Sequence, residues 1–284
     1  MTAFSRGITN QSFITALNKL YKDEKSFWNK MANDKDVFIA IRDNYINVYF
    51  RGNSICKLSF NGSDIFGETH YKYLLQPNLK KEYEKSTNGE FSLENISKYF
   101  ITSLNDLSAI KKSSLAYSGE EKTGVHSISI KEKNVIDVEI TFSQKDRKTD
   151  RIDYLKLEET KGKLKLVFYE AKHFKNSGNR ATKDDKNVLG QLKRYEKALI
   201  NHEKEIINSY KAVCKNLEEL NLLKSNNDIF IKRVAAGEDI SIDYHPKLII
   251  FGFDQDQKEG MNWKKHHDNL IDKLDKRLIL RGNV

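Results

Sequence analysis

Arg151-Ile-Asp-Tyr-Leu-Lys-Leu-Glu-Glu-Thr-Lys-Gly-Lys-Leu-Lys-Leu-Val-Phe-Tyr-Glu-Ala-Lys-His-Phe174 is the stretch on which the fold reading rests. Apolar and polar residues alternate from Arg151 to Glu159 and again from Lys163 to Phe174, the period of two expected of strands. Glu159-Thr160-Lys161-Gly162 joins them as a tight hairpin. If facing residues carry numbers summing to about 323, Asp153 lies opposite Glu170, with Cβ atoms roughly 5 Å apart. Glu170 and Lys172 are two apart and share a face. Leu155 and Leu157 lie on the face of Asp153, and Leu164, Leu166 and Phe168 on that of Glu170. Two carboxylates on an otherwise apolar face require compensation.

A hard divalent cation supplies it. Mg²⁺ prefers oxygen ligands and needs only one or two carboxylates, with waters and substrate phosphates completing its shell. Lys172 would reach the rim of such a site and orient an attacking water. The plainer alternative is a cross-strand ion pair of Asp153 or Glu170 with Lys172. Further on, Gln191 and Tyr195 are four apart and point to one side of a helix.

Outward from the hairpin, residues 10–32 carry Phe13, Leu17, Leu20, Tyr21, Phe27 and Trp28 at helical spacing. Residues 37–41, 45–50 and 54–60 read as a three-stranded meander. The polar stretch 80–90 is the candidate boundary between an accessory region, 1–90, and a second domain, 91–284. Ser92 can cap a helix running through Ile96, Tyr99, Phe100 and Leu104. Residues 127–142 read as strand, broken near 131–134. A helical pattern runs from about 185 to 223, Pro246-Lys-Leu-Ile-Ile-Phe-Gly-Phe reads as a strand buried on both faces, and a last helix covers roughly 263–280. The order predicts an α/β (α+β) architecture with helices flanking a mixed sheet.

The 284 residues include two cysteines, Cys56 and Cys214, neither in a Cys-x-x-Cys pair, which excludes a disulfide framework and a cysteine zinc site. No apolar run approaches the ~20 residues of a membrane span, and the first residues do not read as a secretory signal. A cytoplasmic location is expected. The net charge is +9, and residues 161–197 hold eleven Lys and Arg against four Asp and Glu. Lys175, Arg180 and Lys183 lie in a basic loop after the hairpin, followed by Lys193 and Arg194, a strip suited to phosphates.

Asp153, then Glu170-Ala171-Lys172, then Gln191-x-x-x-Tyr195, in this order on strand, strand and helix, resembles the PD-(D/E)XK nuclease superfamily. The glutamine–tyrosine element is similar to that of its RecB-like branch. The likeness covers about 120–253, with Ile152 where the eponymous proline would stand. It implies a restriction-endonuclease-like core, a mixed four-stranded sheet flanked by helices, to which this chain adds a small N-terminal helix and β-meander. It further implies phosphodiester hydrolysis with Mg²⁺, for which Mn²⁺ is a plausible substitute. Carried over by position, Asp153, Glu170 and the Ala171 carbonyl are the metal ligands and Lys172 the catalytic lysine. Gln191 and Tyr195 support Lys172 or the substrate phosphate. Glu139 is the candidate further acidic ligand, with Glu94 the alternative; Asp150 is the alternative to Asp153.

The expected function is a nuclease acting on DNA, with RNA as the other substrate class, in bacterial genome defence (antiphage) or repair. The alternative is a non-catalytic DNA-binding or interaction module of the same fold. Residues 1–90 are left for contact with a partner protein, the substrate or a second copy of the chain.

Overall fold

The computed structural model describes residues 4–75, 83–91, 101–142, 151–180, 187–223 and 228–284. The chain forms two compact units: residues 5–126 with 212–225, and residues 1–4, 127–211 and 226–284. Residues 83–90, the described part of the stretch read as a boundary, lie within the first of these units and are strand apart from their turn.

The first of these units opens with α1 (Gln11–Tyr21) and α2 (Phe27–Asn33), where the sequence predicts one helix over 10–32. Ser26 ends the continuity. Its hydroxyl caps α2 by accepting from Asn29 N–H and donates to the Leu20 carbonyl. Strands β1 (Val37–Ile41), β2 (Ile46–Phe50) and β3 (Asn53–Phe60) form the expected meander, which continues through β4 (Ile65–His70), β5 (Tyr83–Thr87) and β6 (Glu90–Phe91). All neighbours are antiparallel. The link between β5 and β6 is Asn88-Gly89, with φ of 49° and 94°, the left-handed pair that a two-residue hairpin demands. The polarity of this stretch thus marks a hairpin. Helix α3 (Leu107–Ser114) belongs to this unit, and α4 (Glu120–Lys131) runs past its end. Residues 92–100, where the Ser92-capped helix and Glu94 were expected, lie outside the described residues.

Helix α4 corrects the strand expected from residue 127. Val125, His126, Ile128 and Ser129 are buried at helical spacing. A short apolar run cannot by itself separate the two periods. Asn134, at φ 58°, then turns the chain into β7 (Val135–Thr141). Strands β8 (Arg151–Thr160) and β9 (Lys163–His173) form the hairpin, with Lys161 and Gly162 at φ 52° and 74°. The long helical pattern divides at His202 into α5 (Val188–Asn201) and α6 (Glu203–Glu219). Then follow α7 (Ile229–Ala235), β10 (Ile240–Ile242), β11 (Lys247–Phe251), α8 (Gln255–Glu259), α9 (Met261–Leu274) and β12 (Leu278–Leu280). The last helix therefore stops at Leu274, and the expected helical end is a strand.

The second sheet has the order β12-β11-β9-β8-β7, with β10 pairing β9 beside β11. Strands β7, β8 and β9 are antiparallel, whereas β10 and β11 run parallel to β9 and β12 parallel to β11. The sheet is mixed, as expected, but has six strands where the resemblance implies four, and the described helices make the chain α+β. No helix among the described residues is long and apolar enough to cross a membrane.

Candidate active site on the β8–β9 hairpin

The hairpin register holds the predicted sum from Thr160↔Lys163 to Tyr154↔Tyr169. The next pair would be Asp153 and Glu170. There the Asp153 carboxylate intervenes, accepting from Ala171 N–H at 2.7 Å. Inboard, Leu155, Leu157, Leu164, Leu166 and Phe168 are buried, so the two carboxylates stand at the end of an apolar face.

Glu170 is fully buried. Its Oε1 lies 2.5 Å from Lys172 Nζ, an ion pair whose lysine side chain is 15% exposed. Its Oε2 lies 2.9 Å from the Tyr195 hydroxyl, which is also 2.7 Å from the Arg151 carbonyl. The single phenolic proton is shared between these two acceptors. Gln191 Nε2 donates to the same hydroxyl at 2.5 Å. Helix α5 brings these groups over the sheet because Val188, Leu192, Tyr195 and Leu199 form its buried stripe. Its start is fixed by Asn187, whose side chain accepts from Gly190 N–H at 2.6 Å. Gln191 therefore acts on Tyr195, and Tyr195 on Glu170, while Lys172 meets Glu170 directly.

Burial is the largest influence on Asp153, and with the Glu170 charge it holds the Asp153 carboxyl well above its ordinary range. Lys172 and the Ala171 N–H oppose the rise, and Glu139 adds to it. Glu139 aligns with Asp153 in the β7–β8 register, between Val138↔Tyr154 and Ile140↔Ile152. Its φ is 55°, a left-handed conformation that costs a non-glycine residue energy. Its carboxylate is ion-paired to Arg151.

Arg151 was not singled out in the sequence. It has the same parity as Asp153, and that was the available signal: its guanidinium holds Glu139 and its carbonyl receives Tyr195. Of the basic strip, Lys175, Lys193 and Arg194 are exposed. Arg180 is partly covered, with its guanidinium over the rings of Phe174 and Trp263. Lys183 and Asp150 lie outside the described residues. Elsewhere, His267 stacks on Trp263 with ring centroids 5.8 Å apart.

The donor set suits a hard cation. Among the described residues no group of three or more His, Cys, Asp or Glu side chains is placed to hold a metal ion. A cation here would draw on Asp153 and Glu170, with backbone, water and substrate oxygens making up the rest, a pattern Mg²⁺ accepts.

No known family model, curated protein or solved structure matches this chain. The reading of the site rests on its own residues.

Proposed function

We propose that this chain is a Mg²⁺-dependent nuclease that hydrolyses phosphodiester bonds in DNA, built on a restriction-endonuclease-like core. The observation that carries the reading is the convergence of Asp153, Glu170, Lys172, Tyr195 and Gln191 at one end of the hairpin. Asp153, Glu170 and the Ala171 carbonyl would hold the ion. When bound, Mg²⁺ supplies Lewis-acid stabilisation of charge on the scissile phosphate.

The chain's own residues supply the rest. Tyr195 holds one oxygen of Glu170, and Gln191 holds Tyr195, so the carboxylate is positioned from α5. Lys172, whose ammonium lies beside the Glu170 carboxylate, would orient the attacking water and oppose charge developing on the phosphate. Lys175, Arg180, Lys183, Lys193 and Arg194 would neutralise the phosphate backbone. A role in bacterial genome defence or repair is the setting that such an activity would serve.

One observation favours the second reading, a DNA-binding module without catalysis. Both oxygens of Glu170 already face partners within the protein, Lys172 and Tyr195. The two readings separate in one experiment: single-turnover cleavage of linear, circular and single-stranded DNA, with Mg²⁺ and with EDTA. The nuclease cleaves at least one substrate with Mg²⁺ and none in EDTA, and Asp153→Ala and Glu170→Ala abolish cleavage while retaining DNA binding. Binding with no cleavage by the wild-type chain favours the module.

A further inference from the structure

Among the described residues of the first unit, the large apolar side chains left exposed are Leu75, Tyr83, Leu115 and Tyr117. They come from neighbouring elements. Leu75 follows the 3-10 turn Tyr71–Leu74, which packs on α3, and Leu115 and Tyr117 stand in the turn that ends α3. Tyr83 opens β5 and pairs with His70, the last residue of β4. Resting on the nuclease reading above, we propose that this surface holds a single nucleic-acid strand, with bases on the tyrosine rings and phosphates at Lys72 and Lys122.

Three observations carry this. The first is that the rings form one continuous platform. Tyr83 meets His70 edge-on with centroids 5.4 Å apart, His70 lies 6.1 Å from Tyr73, and Tyr73 meets Tyr117 edge-on at 5.9 Å. Tyr73 is buried and anchors the group, whereas Tyr83 is 65% and Tyr117 47% exposed. Aromatic rings held in place yet open to solvent are surfaces on which unstacked bases lie, whatever their sequence. A duplex keeps its base faces inside, so the occupant is a single strand.

The second is charge without a counter-ion. The Lys72 ammonium sits 4.9 Å from the Tyr73 ring centroid and 4.8 Å from that of Tyr117. Neither Lys72 nor Lys122 has a carboxylate partner among the described residues. Burial, and then the charge of Lys122, hold the Lys72 ammonium below its ordinary pKa. Two cations that repel each other beside exposed rings favour an anion, and a phosphate is one. Of the nearby acids, Glu84 alternates to the face of β5 opposite Tyr83. Glu120 and Glu121 stand in the first turn of α4, where the helix dipole favours them.

The third is the combination. An acidic peptide would use the lysines and leave the ring faces idle, and a second copy of this chain would bring like charges into one interface. A nucleic-acid strand uses both features, because each nucleotide carries one flat ring and one charge.

The test is equilibrium binding of the full chain, in EDTA, to oligothymidylate and to an abasic strand of the same length and charge. Wild type should prefer oligothymidylate by about tenfold or more. Tyr83→Ala combined with Tyr117→Ala alters two side chains already open to solvent. It should cut the preference severalfold and leave affinity for the abasic strand unchanged. Lys122→Gln should weaken binding of both strands and lower the log–log salt slope by about 0.7 for the phosphate lost. Full preference in the tyrosine pair, or an unchanged slope in Lys122→Gln, would overturn the proposal. So would light scattering that shows a wild-type dimer dispersed by the tyrosine pair with strand affinities intact, which would give the surface to a second copy. Because no metal or cleavage is involved, a wild-type chain that prefers bases through these tyrosines but cuts nothing with Mg²⁺ supports the surface and sinks the nuclease reading. A chain that cuts DNA while the tyrosine pair keeps the full preference does the reverse.

Discussion

Replacing Asp153 by Asn should stabilise the metal-free protein at neutral pH and remove its response to Mg²⁺. In the folded chain, burial and the Glu170 charge raise the Asp153 carboxyl well above its ordinary value of 3.8. The folded state therefore binds the proton more tightly than the unfolded state. Below the unfolded value both states are protonated and there is no penalty. As pH rises from there through the folded value, stability is lost, and above the folded value the whole penalty remains. Each tenfold tighter hold on the proton corresponds to about 1.4 kcal/mol. Asn has nearly the same shape and keeps an oxygen for the Ala171 N–H, but carries no charge. Its amide could recover less if left unpaired, by about 1–3 kcal/mol. A surplus of 1 kcal/mol would raise the midpoint of thermal unfolding by about 2 °C in a chain of this size. The measurement is calorimetric unfolding of wild type and Asp153→Asn in EDTA at pH 8 and pH 4. The gain should appear at pH 8 and vanish towards pH 4. Saturating Mg²⁺, at 100 times its dissociation constant, should then stabilise the wild type by about 2.7 kcal/mol and the variant far less. Equal or lower stability of the variant at pH 8 would refute the account of a strained carboxylate pair.

Lys172→Met keeps the aliphatic stem and loses the ammonium; single-turnover cleavage should fall about 10²-fold or more while Mg²⁺ still binds, and wild-type turnover would reject Lys172 as catalytic. Lys172→Arg should rescue poorly, because a planar guanidinium does not replace a compact ammonium. Tyr195→Phe removes the donor to Glu170 and the Arg151 carbonyl and strands Gln191; urea unfolding should show a loss of about 1–3 kcal/mol, and calorimetry about 10–100-fold weaker Mg²⁺ binding. An unaltered Mg²⁺ affinity would reduce Tyr195 to a packing role. Alanine at Lys175, Arg180 and Lys183 together should weaken DNA binding for all sequences, and the log–log salt slope should drop by about 0.9 for each phosphate no longer neutralised; an unchanged slope would mean that none of the three touches phosphate.

Much of the site was legible because strand geometry is rigid. A period of two places Asp153, Glu170 and Lys172 without knowledge of the rest of the chain, provided that the register is known. Lys161-Gly162 set that register, since a two-residue turn needs two left-handed residues and glycine supplies one at little cost. The same rule applied to Asn88-Gly89 would have turned an expected boundary into a hairpin. Helix limits were less legible. Ser26 and His202 break continuous apolar patterns by local bonding and backbone geometry that periodicity does not contain.

By itself, then, the sequence determined the hairpin, the meander that begins the first sheet, the buried strand at 247–251 and the face shared by the two carboxylates. These depend on residues near one another in the chain. The tertiary structure decided that Tyr195 bonds Glu170 across 25 residues of sequence and that Lys172 pairs with the same carboxylate. It also decided that Glu139 turns to Arg151 in a left-handed conformation and that β10 and β12, three residues each, join the sheet. A three-residue strand has too little pattern to be read, and gains its hydrogen bonds only from a neighbour already in place. A buried carboxylate takes whichever donors the packed helix and strands bring within reach, and which donors those are is settled when α5 docks on the sheet.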